Sequence, residues 1–217
     1  MIKMYVKCNL GFTMNKTYNI TIEGNIAAGK STLLKYLDNF KDCQIVWEPI
    51  DSWKDIGNQN LLNLWYTDPK QYSMSFQSYI QLTMLKNHLL KTKKPYKIME
   101  RSLFSAQHCF ISNLRTTNRL SQLDYNILKE WHDYIIELHQ IKVDLIVYLK
   151  TNPAILFDRI KKRNRIGERS ITLEYLQQIH NLHESWLGNG ANNVLTIEAN
   201  ANIEVMMKKY ANYMVLP

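Results

Sequence analysis

The sequence lacks any apolar run of ~18 or more residues, which argues against a membrane-spanning helix. Its three cysteines, Cys8, Cys43 and Cys109, are odd in number and far apart. No CxxC pair occurs, so neither a zinc-type thiolate site nor a disulfide framework is expected, and a reducing compartment fits. Linkers, repeats and low-complexity segments are absent, so residues 1–217 read as a single domain. Residues 1–16 contain no acid, arginine or serine but carry Lys3, Lys7 and Lys16. A loose leader is expected there; the rival, a short transit peptide, normally carries arginine and serine. The cytoplasm is the expected location, with the mitochondrion as the alternative. Acidic charge is scarce, with 19 Asp and Glu against 27 Lys and Arg, a net charge of +8. That excess implies an anionic partner: nucleic acid, membrane or a phosphorylated small molecule. Charge alone does not choose among them.

What is present alternates. Short apolar, β-branched runs at Tyr18–Ile22, Cys43–Trp47, Tyr96–Met99, Val143–Leu149 and Asn193–Ile197 predict five strands. Helical patterns fall between them, roughly at Ser31–Phe40, Asp68–Lys91, Leu103–Asn113, Ser121–His139, Pro153–Arg163 and Leu173–Leu187. Val143–Leu149 is nearly continuous in apolar residues, as a parallel strand buried on both faces would be. The expected fold class is α/β, a five-stranded parallel sheet flanked by helices.

The stretch "GNIAAGKS", Gly24 to Ser31, matches G-x-x-x-x-G-K-[ST] without departure, after a strand and before a helix. Gly24, Asn25, Ile26, Ala27, Ala28 and Gly29 would wrap backbone N–H groups around phosphate oxygens. The helix opening near Lys30 would present its positive dipole end to the same anion. Lys30 would reach the terminal phosphates, and the Ser31 hydroxyl, followed by Thr32, would ligate Mg²⁺. The loop predicts a nucleoside triphosphate, ATP with Mg²⁺. It leaves open a GTPase switch, a helicase or a small-molecule kinase. The base-reading NKxD of GTPases is absent, and the chain is short for a helicase core.

Other residues bear on that choice. Glu48, in "WEPI", falls at the carboxyl end of the second strand, where ligands bind in open parallel sheets. A carboxylate there can take the proton of a hydroxyl acceptor, or it can be an ordinary surface group. "MERS" repeats the construction: Glu100 can bind Mg²⁺ and Arg101 can clamp the transferring group, or the two can form a structural ion pair. Gln77, Ile80 and Met84 share a helical face, a nucleobase wall or a core stripe. Ala106 and Phe110 repeat that spacing, and Phe110 can stack on a base. The basic run "DRIKKRNRIGE" reads as a lid in which Arg163 and Arg165 close over the triphosphate, or as a solvated face.

With "IEGNIAAGKST", "EPI" followed by Trp53, "LWYTDP", "FQSYIQLTML", "IMERSLFSA", "DLIVYL" and "LEYLQQIHNLHESWL" in order, the chain resembles the deoxynucleoside kinase family from about Tyr18 to Ala199. It looks most like the insect multisubstrate and mitochondrial thymidine kinase branch. The resemblance implies a P-loop kinase fold with an Arg-rich lid, and ATP-dependent 5′-phosphorylation of deoxynucleosides, thymidine and deoxycytidine preferred. It implies Glu48 as general base on the 5′-hydroxyl, assisted by Arg101, with Glu100 and Ser31 at Mg²⁺. It implies Gln77 on a pyrimidine edge stacked on Phe110, in a pocket of Trp53, Leu62, Ile80, Met84 and Ala106. Tyr66 and Glu168 would hold the 3′-hydroxyl, and Arg159, Arg163 and Arg165 would form the lid. A homodimer built through helix packing is implied, with no nucleic-acid or membrane partner. Five positions depart from the family pattern. Ala27 and Ala28 look like the deoxycytidine kinase branch. Trp65 stands where a smaller apolar residue is usual and would narrow the cavity, Gln107 replaces a common arginine, and Thr172 replaces a proline. Two other readings remain open: a thymidylate kinase, and a basic nucleic-acid binder.

Overall fold

The computed structural model describes residues 16–188 and 193–213. Of the expected leader, residues 1–15 lie outside the described residues. Five strands form one all-parallel sheet: β1 (Tyr18–Glu23), β2 (Cys43–Val46), β3 (Tyr96–Glu100), β4 (Leu145–Lys150) and β5 (Val194–Glu198), in the order β2-β3-β1-β4-β5. Helices cover both faces, so β1, β3 and β4 carry almost unbroken burial, while the edge strand β5 is mostly half-buried or exposed. One face packs Ile20, Ile22, Ile98, Val147 and Leu149 against Leu33, Leu34 and Leu37 of helix α1 (Lys30–Leu37).

The order of the strands makes the crevice. From β1 the chain crosses to β2 on one side, and from β3 it crosses over β1 to β4 on the other. Connections leave β1 and β3 in opposite directions, which opens a gap at their carboxyl ends. Register then decides what lines it. Ile22 pairs with Glu100, and Val46 with Met99, so β1, β2 and β3 end at nearly one level. The phosphate loop, Glu48 and Arg101 leave from that level.

Five strands were expected and five are found among the described residues, each with ends shifted by a residue or two. The segments Pro153–Arg163 and Leu173–Leu187 are helices at the expected bounds, here α8 and α9. Between α1 and β3, two helices escape the periodicity: α2 (Ile50–Lys54) and α3 (Leu61–Thr67). Both are short, and α3 buries no residue fully, so neither writes a clear apolar stripe. Asp68 ends α3 and caps α4 (Pro69–Leu89) by accepting from the Gln71 N–H. The expected helix from Leu103 is three pieces: α5 (Leu103–Ser105), a π-helical turn at Ala106–Ile111, and α6 (Ser112–Thr116). The helix expected over Ser121–His139 is α7 (Gln122–Leu138). A last helix, α10 (Ile203–Tyr213), was not foreseen; it sets Met206 and Tyr210 into the core beside α1. Among the described residues no helix is long and apolar enough to cross a membrane.

Candidate active site

The phosphate loop begins where only glycine fits. Gly24 has φ 141°, and a Cβ there would lie 2.8 Å from the Leu149 carbonyl oxygen. Ala27 (φ 63°) and Gly29 (φ 97°) are left-handed, which curls the loop into an anion-binding concavity. Helix α1 follows with no side-chain cap, so its first N–H groups stay available at the positive end of its dipole. Lys30 is buried, and its Nζ donates to the carbonyl oxygens of Asn25 (2.9 Å) and Gly24 (3.2 Å). Burial lowers its pKa to about 8, with repulsion from Arg101 adding to the effect. Glu100, Glu48 and Glu23 pull the other way from a distance, yet Lys30 makes no ion pair among the described residues. Ile26, Ala27, Ala28, Gly29, Lys30, Ser31 and Thr32 all line a cavity of about 1160 Å³. Gly24 and Asn25 lie behind this wall; Asn25 braces the loop by donating to Leu176 O at 2.8 Å and accepting from Ile26 N.

Opposite the loop, Arg101 is the hub. Its φ of 63° is left-handed, a conformation that costs a bulky side chain of order 1–3 kcal/mol and persists only when its surroundings hold it. Its Nε reaches Glu48 Oε1 at 3.0 Å, its Nη1 donates to Gly24 O at 3.0 Å, and the guanidinium stacks 4.6 Å from the centre of the Phe110 ring. Burial pushes the Glu48 carboxyl above its ordinary value, against the pull of Arg101 and Lys30. A raised carboxylate pKa suits a proton acceptor working near neutrality. Glu100, facing the α1 side of the sheet, accepts from the Ser31 hydroxyl at 2.9 Å.

Beyond Arg101 the cavity turns apolar. Trp53, Leu62, Trp65, Tyr66, Ile80, Met84, Ala106 and Phe110 form its wall, with Gln77 set among them. Gln77 is buried and its Oε1 has no partner. A buried carbonyl left unpaired costs free energy, and this amide belongs to a residue of the pocket wall, where a ligand can supply a partner once the side chain turns to it. The Trp53 indole is fixed by a 2.9 Å bond to Thr83 Oγ1. Trp65, expected to narrow the cavity, is drawn against Phe76 (5.2 Å between ring centres) and bonded to Ser73 Oγ at 3.2 Å, while still lining the space.

Arg159, Arg163 and Arg165, the expected lid arginines, also line the cavity. Arg159 is tied to backbone: Nη2 donates to Ala199 O (2.8 Å) and Ala201 O (2.7 Å). Arg163 grips Glu168 with both arms, Nε and Nη2 each at 2.6 Å, and Arg165 stands 3.8 Å from the same carboxylate. Burial, with the Glu168 charge behind it, raises the Tyr66 phenol to about 12. Gln107, where an arginine is usual, is buried in the π-helical turn away from the cavity wall, its Oε1 unpaired. Thr172 earns its place as a helix cap: its Oγ1 accepts from Tyr175 N at 3.1 Å.

This geometry can be set beside known proteins. The deoxynucleoside kinase family model matches residues 20–215. The chain belongs to the deoxynucleoside kinase family. Human mitochondrial thymidine kinase 2 is 41% identical over 196 residues, covering 88% of this chain and 74% of that protein. The mitochondrial deoxyguanosine kinase of Xenopus laevis is 33% identical over 211 residues (87% and 79%). A probable deoxycytidine kinase of fowlpox virus is 37% identical over 185 residues (84% and 76%). The chain is thus an enzyme, a phosphotransferase with a nucleotide donor, and not one of the two rival classes.

Sequence reasoning passed over several residues of this deoxynucleoside kinase site. Phe76, Tyr175, Asn202, Met206 and Tyr210 also line the cavity. The last three come from the loop before α10 or from α10 itself, close to the phosphate loop. A signal was present for two of them, since Met206 and Tyr210 are spaced i, i+4. Glu23 was missed as well. It is fully buried at the end of β1, where it accepts from the Ser102 hydroxyl at 2.6 Å. Burial raises its pKa to about 7, against the Ser102 bond and the Arg101 charge.

Proposed function

We propose that this kinase transfers the γ-phosphoryl group of ATP to the 5′-hydroxyl of deoxynucleosides, with thymidine and deoxycytidine preferred, in nucleotide salvage. The observation that carries this reading is the Glu48–Arg101 pair, 3.0 Å apart, between the phosphate loop and the Gln77 pocket. The 5′-hydroxyl would give its proton to Glu48 as the new O–P bond forms and the bond to the ADP oxygen breaks, yielding a monophosphate and ADP. Arg101 would hold that oxygen, and Lys30, Arg163 and Arg165 would balance charge on the transferring group.

The Ser31 hydroxyl and Glu100 carboxylate, 2.9 Å apart beside the loop, fit Mg²⁺, which binds through one or two protein oxygens with substrate phosphates. Bound there, the ion would neutralise phosphate charge. Tyr66 and Glu168 would take the 3′-hydroxyl. Gln77 would meet the pyrimidine edge, with Phe110 stacked on the ring. Met84 and Ala106 are uncharged and Ala106 is small, which leaves room for a thymine methyl. The Glu48 carboxylate beside the reacting oxygen suits a hydroxyl acceptor and would repel an acceptor phosphate, which disfavours thymidylate.

A homodimer is part of the proposal. Leu123, Trp131, Tyr134 and Leu138 are exposed on one face of α7, an apolar stripe suited to helix packing between two copies. Cytoplasmic action is proposed from the free, buried thiols of Cys43 and Cys109.

The test is a screen of the wild type and Lys30→Ala with labelled ATP and each of the four deoxynucleosides, thymidylate and DNA. Monophosphate from thymidine and deoxycytidine is expected, lost in Lys30→Ala without change in circular dichroism. Product from thymidylate alone would favour the rival kinase. Salt-dependent DNA binding without product would favour a nucleic-acid role.

A further inference from the structure

The turn that carries Arg101 is pinned to β1 and the phosphate loop by three bonds. The Arg101 N–H donates to Ile22 O at 3.1 Å. The Ser102 hydroxyl donates to Glu23 Oε1 at 2.6 Å. Arg101 Nη1 donates to Gly24 O at 3.0 Å. Residues 22, 23 and 24 thus each hold one point of the turn, and the middle bond is the only one of the three made by two side chains. Ser102 also opens α5, where its Oγ accepts from Ser105 N and the Ser105 hydroxyl answers it. Fixing Ser102 therefore fixes both the left-handed residue before it and the helix after it. Glu23 touches nothing in the cavity: it is fully buried, absent from the cavity wall, and its second oxygen has no partner. A buried carboxyl held by the Ser102 hydroxyl, with the Ser105 hydroxyl close by, adds little to a fold, since its desolvation outweighs such bonds. Its placement, one residue before the phosphate loop and one bond from the Arg101 turn, has a use in the chemistry instead.

We propose that Glu23 is a positioning residue: through Ser102 it locks the left-handed turn at Arg101, and so sets the Glu48–Arg101 pair against the phosphate loop. The inference rests on the kinase reading above. Glu23 makes no contact with either substrate region, so its loss leaves the nucleoside and ATP sites in place. What it removes is the registration of the reacting groups. A displacement of about 1 Å in such groups can cost on the order of 100-fold in rate.

The experiment compares wild type, Ser102→Ala, Glu23→Ala and Glu23→Gln, measuring kcat and KM for thymidine and ATP, with amide exchange at residues 100–103 by mass spectrometry. Ser102→Ala and Glu23→Ala are expected to lower kcat by roughly 10- to 100-fold with KM values within about threefold, and to speed exchange in the turn. Glu23→Gln keeps an oxygen for Ser102 and is expected to hold kcat within about threefold of wild type. If Glu23→Ala does not fold, Glu23→Gln and Ser102→Ala together still decide, since Ser102 also caps α5 and lines the cavity: the first must keep kcat and the second must lower it. Unchanged kcat in Ser102→Ala overturns the proposal. So does a Glu23→Gln as impaired as Glu23→Ala, which would mean that charge and not the Ser102 bond matters. A rise in KM with kcat retained also overturns it. A wild type that phosphorylates no deoxynucleoside overturns the kinase reading itself, a result distinct from these.

Discussion

Replacing Gln77 with methionine should move activity and stability in opposite directions. Methionine nearly matches glutamine in volume, so the α4 face that carries Ile80 and Met84 is not emptied. In the free protein the buried Gln77 Oε1 has no partner. Removing an unpaired carbonyl of this kind recovers ~1 kcal/mol or more. For a chain of this size that raises Tm by about 2–4 °C. With nucleoside present the sign reverses. Donor and acceptor groups on the base edge would face a thioether and lose their partners, at ~1–3 kcal/mol each. Two such losses lower kcat/KM by roughly 30- to 10⁴-fold, because the base is held in both the ground and the transition state. The assay pairs thermal unfolding without ligand with kcat/KM for thymidine and deoxycytidine. A Tm that drops by several degrees would show that the amide is a structural group. An unchanged kcat/KM would show that the base lies elsewhere.

Other outcomes follow from the same site. Glu48→Gln should retain thymidine binding and lose turnover by roughly 10²–10⁴-fold, since an amide cannot take the proton; near-normal kcat would assign that proton to another group. Met84→Arg with Ala106→Asp should cut kcat/KM for thymidine about 10- to 100-fold and favour deoxycytidine or purines, read from all four deoxynucleosides; a wild type preferring deoxyadenosine or deoxyguanosine would contradict the pocket reading. Burial pushes His88 and His132 down to about 4 and His183 to about 3, from 6.5. The unfolded chain then takes up protons first, so their contribution is complete above pH 6.5 and is lost as pH falls towards 4. Glu23, raised from 4.5 to about 7, acts in the opposite sense, losing stability as pH rises across that interval. His132→Asn should therefore flatten the acid side of urea-unfolding stability, and an unchanged slope would show that this imidazole is not neutral in the native protein.

The sheet and the phosphate loop were legible because their signals are local. "GNIAAGKS" carries its own strand before it and its own helix after it, and apolar runs announce strands without reference to the rest of the chain. Glu48 and Arg101 could be placed at strand ends for the same reason, though their ion pair could not be seen. What escaped was set by contacts far apart in sequence. The Glu23–Ser102 bond joins residues 79 apart, and nothing near either residue announces it. The left-handed backbone at Arg101 is imposed by bonds from β1, and local propensity argues against it. Helices α2 and α3 are held by the walls they complete. Trp53 is bonded to α4, and Trp65 packs against it, so their short sequences needed no strong periodicity of their own.

The π-helical turn at Ala106–Ile111 restricts how this pocket can change. Both Ala106 and Phe110 face the cavity across a turn that carries an extra residue, and Phe110 is also the surface on which Arg101 rests. Dropping one residue would restore an ordinary α-helix: the residues inside the turn, Phe110 among them, would take new positions round the axis while the helix beyond kept its register. Phe110 would swing away from Arg101 in the same movement that reshaped the base pocket. Point substitution is therefore an open route to a new nucleoside preference, and a change in length here is a closed one. The segment from Leu103 to Thr116 should tolerate new side chains while keeping its residue count.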